Sequence, residues 1–163
     1  MNMLQGDTEF LKVLEKMGAA LEEDPDGVLL IGPAGGELKS PRITDMGAFS
    51  DQALTLAALA PFADGTLEIK NIAHIRLQEC DRIAAITKNL TALGMICEER
   101  EDGVVIKRGE THGAQLESFG DHRVAMSFAL CGLRIGGVVI KDPGCCRKTF
   151  AEYFEVLEEA LSI

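Results

Sequence analysis

The chain has 163 residues, of which 47% are hydrophobic and 26% charged, a balance that suits one ordinary globular domain and leaves no room for two full ones. It carries 26 acidic and 16 basic residues, and the resulting net charge of −10 argues against non-specific binding to nucleic acids or anionic membranes. The sequence has no apolar run of membrane-spanning length and no signal-peptide or transit pattern, so we expect a cytoplasmic protein.

The first predicted elements are a helix and a β-hairpin. Apolar residues between Phe10 and Met17 recur at helical spacing, and Asp26-Gly27 separates two β-rich runs as a hairpin turn does. The same order of elements occurs again later in the chain, where apolar residues at helical spacing precede two β-rich runs separated by Asp102-Gly103. A repeat at such long spacing is typical of stacked or symmetric modules that share one core.

A second pattern, also present twice, consists of an apolar helix, a glycine turn and a strand. The first copy runs over 49–71 and the second over 119–142, where Asp121 is placed to cap the helix. The remaining predicted elements are short strands over 42–45 and 115–117 and helices over 80–93 and 149–161.

Together these elements predict an α/β (α+β) fold made of repeated β-α-β-α-β-β units. One complete unit occupies 37–110, between partial units over 1–36 and 111–163. A chain that opens and closes on partial units looks like a piece of a longer repeat protein, so we expect a single, incomplete domain. The missing β-α-β stretch should leave an apolar flank.

Charged residues collect at the predicted helix starts, where they exceed what helix capping needs. A helix start carries unpaired N–H groups and partial positive charge, so basic side chains beside it make a receptor for phosphate or carboxylate. Helix starts at one sheet edge can converge on one crevice, which predicts a site for a small, multiply anionic substrate. Taken singly, each residue is better explained as a cap, a surface ion pair or a solvated charge. The residues are Asp51, Glu79, Arg82, Asp121, His122, Arg123 and Lys148.

Five motifs follow one another along the chain and carry most of these charges. They are Phe49-Ser-Asp-Gln-Ala-Leu-Thr, Asn71-Ile-Ala-His-Ile-Arg, Glu79-Cys-Asp-Arg-Ile-Ala-Ala, Asp121-His-Arg-Val-Ala-Met-Ser-Phe-Ala-Leu and Lys148-Thr-Phe-Ala-Glu-Tyr-Phe. In order and spacing they resemble the motifs of 3-phosphoshikimate 1-carboxyvinyltransferase, also called EPSP synthase. A segment from Leu4 to Gly18 extends the resemblance almost to the start of the chain.

The resemblance implies the C-terminal portion of a two-domain enolpyruvyl transferase with its active site between the domains. The implied reaction moves the enolpyruvyl group of phosphoenolpyruvate to the 5-hydroxyl of shikimate 3-phosphate and releases phosphate, in aromatic amino acid biosynthesis. No metal or organic cofactor is implied, and the five cysteines have no metal-binding spacing. The N-terminal domain would supply the other substrate contacts, so we expect the isolated chain to be inactive and the full-length enzyme to be a monomer.

The resemblance also implies a role for each site residue. Asp51 matches a carboxylate that binds the shikimate hydroxyl and can serve as a base, and Glu79 matches the acid that protonates the phosphoenolpyruvate methylene. The other implied residues are Arg82, Arg123 and Lys148 around phosphoenolpyruvate, where glyphosate binds in sensitive members, His74 and Gln78 at shikimate 3-phosphate, and His122 orienting Glu79.

The sequence departs from the family motifs at two positions, and two other functions are alternatives to this assignment. Gln78 stands where several members have lysine, and His74 stands where some have asparagine. UDP-N-acetylglucosamine enolpyruvyl transferase shares the fold and chemistry but lacks the Asp-His-Arg helix start and the Lys-Thr-Phe motif. A non-catalytic phosphate-binding module of the same fold is the second alternative, since fold alone does not fix function.

Overall fold

Helices and strands follow one another in the order that the sequence predicts. The computed structural model describes residues 6–25 and 27–162, so the predictions for Leu4, Gln5 and Asp26 lie outside the described residues. The elements are α1 (Glu9–Lys16), β1 (Ala20–Asp24), β2 (Gly27–Ile31), β3 (Leu38–Lys39), β4 (Ile43–Asp45), α2 (Ala53–Leu59), β5 (Ala63–Asp64), β6 (Leu67–Lys70), α3 (Arg82–Ala92), β7 (Ile96–Arg100), β8 (Gly103–Lys107), β9 (Gln115–Leu116), α4 (His122–Ala129), β10 (Val139–Ile140) and α5 (Tyr153–Leu161).

A four-stranded sheet with the order β4-β6-β8-β7 organises the middle of the chain. Strands β4 and β6 are parallel, whereas β6, β8 and β7 pair antiparallel. The parallel pair needs a crossover, and α2 supplies it. Strands β3 and β5 also pair parallel, as do β9 and β10, which α4 connects. Because α2 and α3 each follow a strand of the same parallel pair, their first turns lie at the same edge of the sheet.

The core lies between this sheet and the packed helices α2, α3 and α4. Their apolar faces are fully buried, among them Leu54, Leu56, Ile86 and Phe128. Burial of such side chains stabilises a fold by roughly 1.5–3 kcal/mol each relative to exposure. The helices therefore hold their first turns in fixed relative positions.

Asn89 fixes the chain segment that leads into α4. This side chain on α3 is 1% exposed. Its Nδ2 donates to the main-chain oxygen of Glu117 at 2.9 Å, and its Oδ1 accepts from the main-chain nitrogen of Glu117 at 3.0 Å. Phe119 and Gly120 then adopt positive φ angles of 56° and 70°, which turn the chain into the helix.

Two predicted helix starts are wrong by a few residues. The helix predicted over 80–93 begins at Arg82, because the side chain of Asp81 caps it by accepting from the nitrogen of Ala84 at 3.0 Å. The helix predicted over 149–161 begins only at Tyr153. A 3₁₀ helix over Pro143–Lys148 precedes it, so Lys148 ends a short helix instead of starting a longer one.

Exposed apolar residues occur in both partial units, but Ile43, Leu77 and Ile96 in the complete unit are exposed as well, so the apolar flank stays a prediction. Leu29, Leu30 and Ile31 on β2 are exposed, and no residue of α5 is buried. Within residues 6–25 and 27–162, none of the helices has the length and hydropathy needed to cross a membrane.

Candidate active site

Arg82, the first residue of α3, binds four side chains from three helix starts. Its Nε donates to Asp121 Oδ2 at 2.7 Å, and its Nη2 donates to Asp121 Oδ1 at 3.4 Å and to Glu79 Oε2 at 2.9 Å. Its Nη1 donates to Asp51 Oδ1 at 3.1 Å and to Gln78 Oε1. Arginine has five N–H donors, so every donor of Arg82 is used. These five residues are named the Arg82 cluster.

Asp121 and Arg82 form a buried ion pair at the centre of this cluster. Arg82 is 2% exposed and Asp121 is fully buried. Burial alone would raise the pKa of Asp121, but the hydrogen bonds and charge of Arg82 outweigh it and lower that pKa. Burial lowers the pKa of Arg82, and the carboxylates, led by Asp121, more than compensate and raise it. Both groups are therefore ionised at neutral pH.

Asp121 also caps α4, as the sequence predicts, by accepting from the main-chain nitrogen of Arg123 at 2.8 Å. The sulfur of Cys80 lies 3.7 Å from Asp121 Oδ2. Burial and then the charge of Asp121 raise the pKa of the Cys80 thiol to about 12. The thiol is therefore protonated at neutral pH and is a poor nucleophile.

Asp51 joins the buried pair to the surface of the molecule. It lies in the 3₁₀ turn before α2 and does not cap that helix, because it bridges two guanidinium groups instead. Its Oδ1 binds Arg82 and its Oδ2 binds Nη2 of Arg123 at 3.0 Å. The side chains of Asp51 and Arg123 are 36% and 35% exposed. Asp51 is the only partner of the Arg123 guanidinium among the described residues, so Arg123 has donors free for a ligand.

A cavity of about 250 Å³ opens beside this pair, between α2, α4 and α5. Its wall includes Asp51, Thr55, Arg123, Ser127 and Tyr153. A second cavity, of about 280 Å³ and lined in part by Arg108 and Arg134, contains none of the predicted site residues. The chemistry of the side chains, and not the larger volume, therefore identifies the cavity beside Asp51 as the candidate site.

The structure brings most of the predicted residues together, but four lie outside the Arg82 cluster: Arg123, which is joined to it through Asp51, and His74, His122 and Lys148. His74 Nε2 is 2.7 Å from the hydroxyl oxygen of Ser50, the neighbour of Asp51. His122 is buried and its Nδ1 lies 3.9 Å from Asp121 Oδ1. In the described part of the chain His122 makes no hydrogen bond to Glu79, so its orienting role stays a prediction.

Lys148 is exposed and, among residues 6–25 and 27–162, its side chain forms no hydrogen bond or ion pair. The 3₁₀ helix that carries it packs against α4, with the sulfur of Cys146 3.9 Å from the main-chain oxygen of His122. Lys148 is therefore close to the start of α4 in the fold, and its contact with a ligand also stays a prediction.

The sequence did not reveal the second role of Asp121. An aspartate before a buried helix is fully explained as a cap, and only the packing of α3 against α4 makes it the counter-ion of Arg82. Within the described residues, no three His, Cys, Asp or Glu side chains are grouped as a metal site would require.

The fold and this arrangement of carboxylates and arginines define a class of protein. The chain superposes on EPSP synthase from Acinetobacter baumannii with a TM-score of 0.83 and 26% identity, covering 95% of this chain and 39% of that one. The enolpyruvyl transferase NikO from Streptomyces tendae gives a TM-score of 0.71 with 18% identity, covering 94% and 35%. The protein has the enolpyruvyl transferase fold, which confirms the predicted fold class.

Sequence similarity identifies the family within this class. Residues 1–157 match the family described as EPSP synthase (3-phosphoshikimate 1-carboxyvinyltransferase). The 3-phosphoshikimate 1-carboxyvinyltransferase of Nostoc punctiforme is 45% identical over 150 residues, which are 92% of this chain and 34% of that protein. The chain belongs to the EPSP synthase family, and the predicted resemblance is confirmed. It spans about a third of the length of the curated relatives that it matches.

Proposed function

We propose that the chain forms the C-terminal wall of an EPSP synthase active site. The enzyme would transfer the enolpyruvyl group of phosphoenolpyruvate to the 5-hydroxyl of shikimate 3-phosphate and release phosphate. The observation that carries this proposal is the bridge from Asp51 to both Arg82 and Arg123, with Glu79 on the same guanidinium. This bridge places two carboxylates for proton transfer beside cations for an anionic substrate. The family match favours this function over UDP-N-acetylglucosamine enolpyruvyl transferase.

In the proposed mechanism Asp51 and Glu79 transfer the protons. Asp51 accepts the proton of the shikimate 5-hydroxyl while the hydroxyl oxygen bonds to C2 of phosphoenolpyruvate. The protonated Glu79 carboxyl gives its proton to the methylene carbon, which becomes a methyl group. When the C2–O bond to phosphate breaks, Asp51 gives its proton to the departing phosphate, the methyl group returns a proton to Glu79, and the carbon–carbon double bond is restored.

The arginines have different parts in this mechanism. Arg123 has free donors at the cavity and would bind the phosphoenolpyruvate anion directly. Arg82 would bind it only after Asp51, Glu79 or Gln78 gives up one of its five donors. We therefore assign Arg82 to holding the two carboxylates before the substrate binds and to contacting the substrate afterwards. Lys148, His74 and Gln78 keep their proposed substrate contacts.

The other wall of the site would come from the N-terminal domain of the same enzyme. Asp51 and Arg123 are about one-third exposed on the open side of the cavity, which leaves room for a second domain. We propose the unit division 1–36, 37–110 and 111–163, a monomeric full-length enzyme and a cytoplasmic location. The isolated chain should then bind substrate weakly and not turn it over.

A titration of this chain with phosphoenolpyruvate in the presence of shikimate 3-phosphate tests the proposed site. Amide resonances report where the ligands bind, and we expect shifts at Asp51, over 78–82 and at Arg123. An Arg123→Ala chain should lose these shifts, while Arg134→Ala, which changes the cavity of about 280 Å³, should keep them. Shifts confined to residues outside the Arg82 cluster and Arg123 would favour a non-catalytic phosphate-binding module instead.

A further inference from the structure

Arg76 is a second arginine whose guanidinium group donates to several acceptors at once. It lies on the side of α3 that faces the β7–β8 hairpin, and its contacts are called the Arg76 fork. Its Nε donates to the main-chain oxygen of Glu101 at 3.1 Å, and its Nη2 donates to the main-chain oxygen of Arg100 at 2.6 Å. Its Nη1 donates to Asp81 Oδ2 at 2.9 Å and to Glu99 Oε1 at 2.8 Å. The side chain is 23% exposed. One guanidinium therefore connects the hairpin to the residue that caps α3.

The segment between this fork and α3 carries Glu79 and has no regular structure. Residues 78–80 form no main-chain hydrogen bond within the described part of the chain. Glu79 is instead held by its ion pair with Arg82. The path of this segment is therefore set by side-chain contacts with Arg82 and by its two ends, where Arg76 precedes it and Asp81 follows it.

The two ends of the segment, Arg76 and Asp81, are hydrogen-bonded to each other, and Arg76 is also hydrogen-bonded to the hairpin of the sheet. Asp81 accepts from Ala84 N at the start of α3 and from Arg76. The main-chain oxygens that accept from Arg76 belong to Arg100, the last residue of β7, and to Glu101 in the turn that follows, and both β7 and β8 are strands of the central sheet. Because the Arg76 guanidinium joins the hairpin, Asp81 and the start of α3, its contacts restrain the segment from the side opposite Arg82.

We infer that Arg76 is a positioning residue that holds Glu79 in place from outside the substrate site. This role rests on the proposed function, in which Glu79 transfers a proton to carbon. Among the described residues, the hydrogen bonds of Arg76 go to Asp81, Glu99, Arg100 and Glu101, and none of these lines the cavity beside Asp51. A lysine could not replace it, because one ammonium group cannot reach acceptors in three directions as the planar fork does.

The first test measures backbone motion in this chain without any substrate. In Arg76→Ala we expect the ¹⁵N order parameters of Gln78, Glu79 and Cys80 to fall from about 0.85 to below about 0.6. In Arg76→Lys the same order parameters should fall nearly as far. The control is Arg100→Ala on the same hairpin, which removes the ion pairs of Arg100 with Glu68 on β6 and Glu98 on β7 but keeps its main-chain oxygen. Unchanged order parameters in Arg76→Ala would overturn the inference.

The second test measures catalysis in a chimera. This chain replaces the 150 residues that align with it in the Nostoc punctiforme enzyme, and kcat is expressed per folded molecule. We expect Arg76→Ala to lower kcat about 100-fold, the effect of a displacement of about 1 Å of a catalytic group. A role limited to folding would lower the yield of folded enzyme and leave this kcat unchanged, which would contradict the positioning role.

A double variant separates positioning of Glu79 from a general loss of structure. If Arg76 acts through Glu79, Arg76→Ala should slow the Glu79→Gln chimera little further. Additive losses would contradict the inference. An unmodified chimera without activity would count against the proposed function instead, and the order parameters of the isolated chain would then still decide the role of Arg76.

Discussion

Asp121→Ala is expected to lower the free energy of unfolding of this chain by about 3–5 kcal/mol, because it leaves a buried arginine without its closest counter-ion. Asp121 and Arg82 meet at 2.7 Å with almost no exposed surface. The substitution also removes the cap of α4. Urea unfolding at pH 7, followed by circular dichroism, gives the value for the variant and the unmodified chain.

Two further variants sharpen this prediction. Asp121→Asn keeps an oxygen for the α4 cap but loses the charge, so its loss should be smaller than that of Asp121→Ala. Glu9→Ala removes an exposed ion pair with Lys12 at 2.8 Å and should change the free energy of unfolding by less than about 1 kcal/mol. Equal losses in Asp121→Ala and Glu9→Ala would contradict a stabilising buried pair.

The same ion pair predicts how stability depends on pH. Folding lowers the pKa of Asp121 below its ordinary value of 3.8, so its stabilising effect is complete above that value. The effect is lost as the pH falls from about 4 through the folded pKa. Asp45 and Glu117 also have lowered pKa values, so the comparison is made with Asp121→Asn. That variant should lose less stability between pH 5 and pH 2 than the unmodified chain, as measured by urea unfolding.

Glu79→Gln is expected to lower kcat of the chimera by about 10³- to 10⁴-fold, the upper range for loss of a general acid–base group. The amide oxygen can still accept from Arg82 Nη2, which now binds Glu79 at 2.9 Å, so the fold and KM should change little. Steady-state phosphate release measures both constants. A kcat within tenfold of the unmodified chimera would show that Glu79 is not the proton donor.

Arg123→Ala separates substrate binding from proton transfer in the same assay. Because Arg123 has free donors at the cavity, its loss should raise KM for phosphoenolpyruvate and lower kcat/KM by about 10²- to 10³-fold. Arg134→Ala is the matched control, since this arginine lies at the other cavity and donates to the main-chain oxygen of Gly36. Similar kinetics for the two arginine variants would contradict the assignment of Arg123.

Much of the fold follows from local patterns in the sequence. Apolar residues at helical spacing and Asp-Gly turns give the helices and hairpins, and the two repeated patterns give their order. The exact starts of α3 and α5 do not follow. The start of α3 depends on its cap, Asp81. The start of α5 depends on the 3₁₀ helix that precedes it and ends at Lys148.

The sequence predicts which residues form the candidate site, but it does not predict which of them contact one another. Charged residues at several helix starts indicate a shared anion site, and the structure brings Asp51, Glu79, Arg82 and Arg123 together. Which acid is buried against Arg82 depends on the packing of α3 against α4. The fork of Arg76 likewise joins residues that meet only when the hairpin folds onto the start of α3.

Phosphate release by the chimera tests the central claim most directly. The folded chimera should release phosphate only when phosphoenolpyruvate and shikimate 3-phosphate are both present, while this chain alone should release none. The enzyme of Nostoc punctiforme in the same assay is the positive control. A folded chimera that releases no phosphate, while that enzyme does, would contradict the claim that this chain supplies a working wall of an EPSP synthase site.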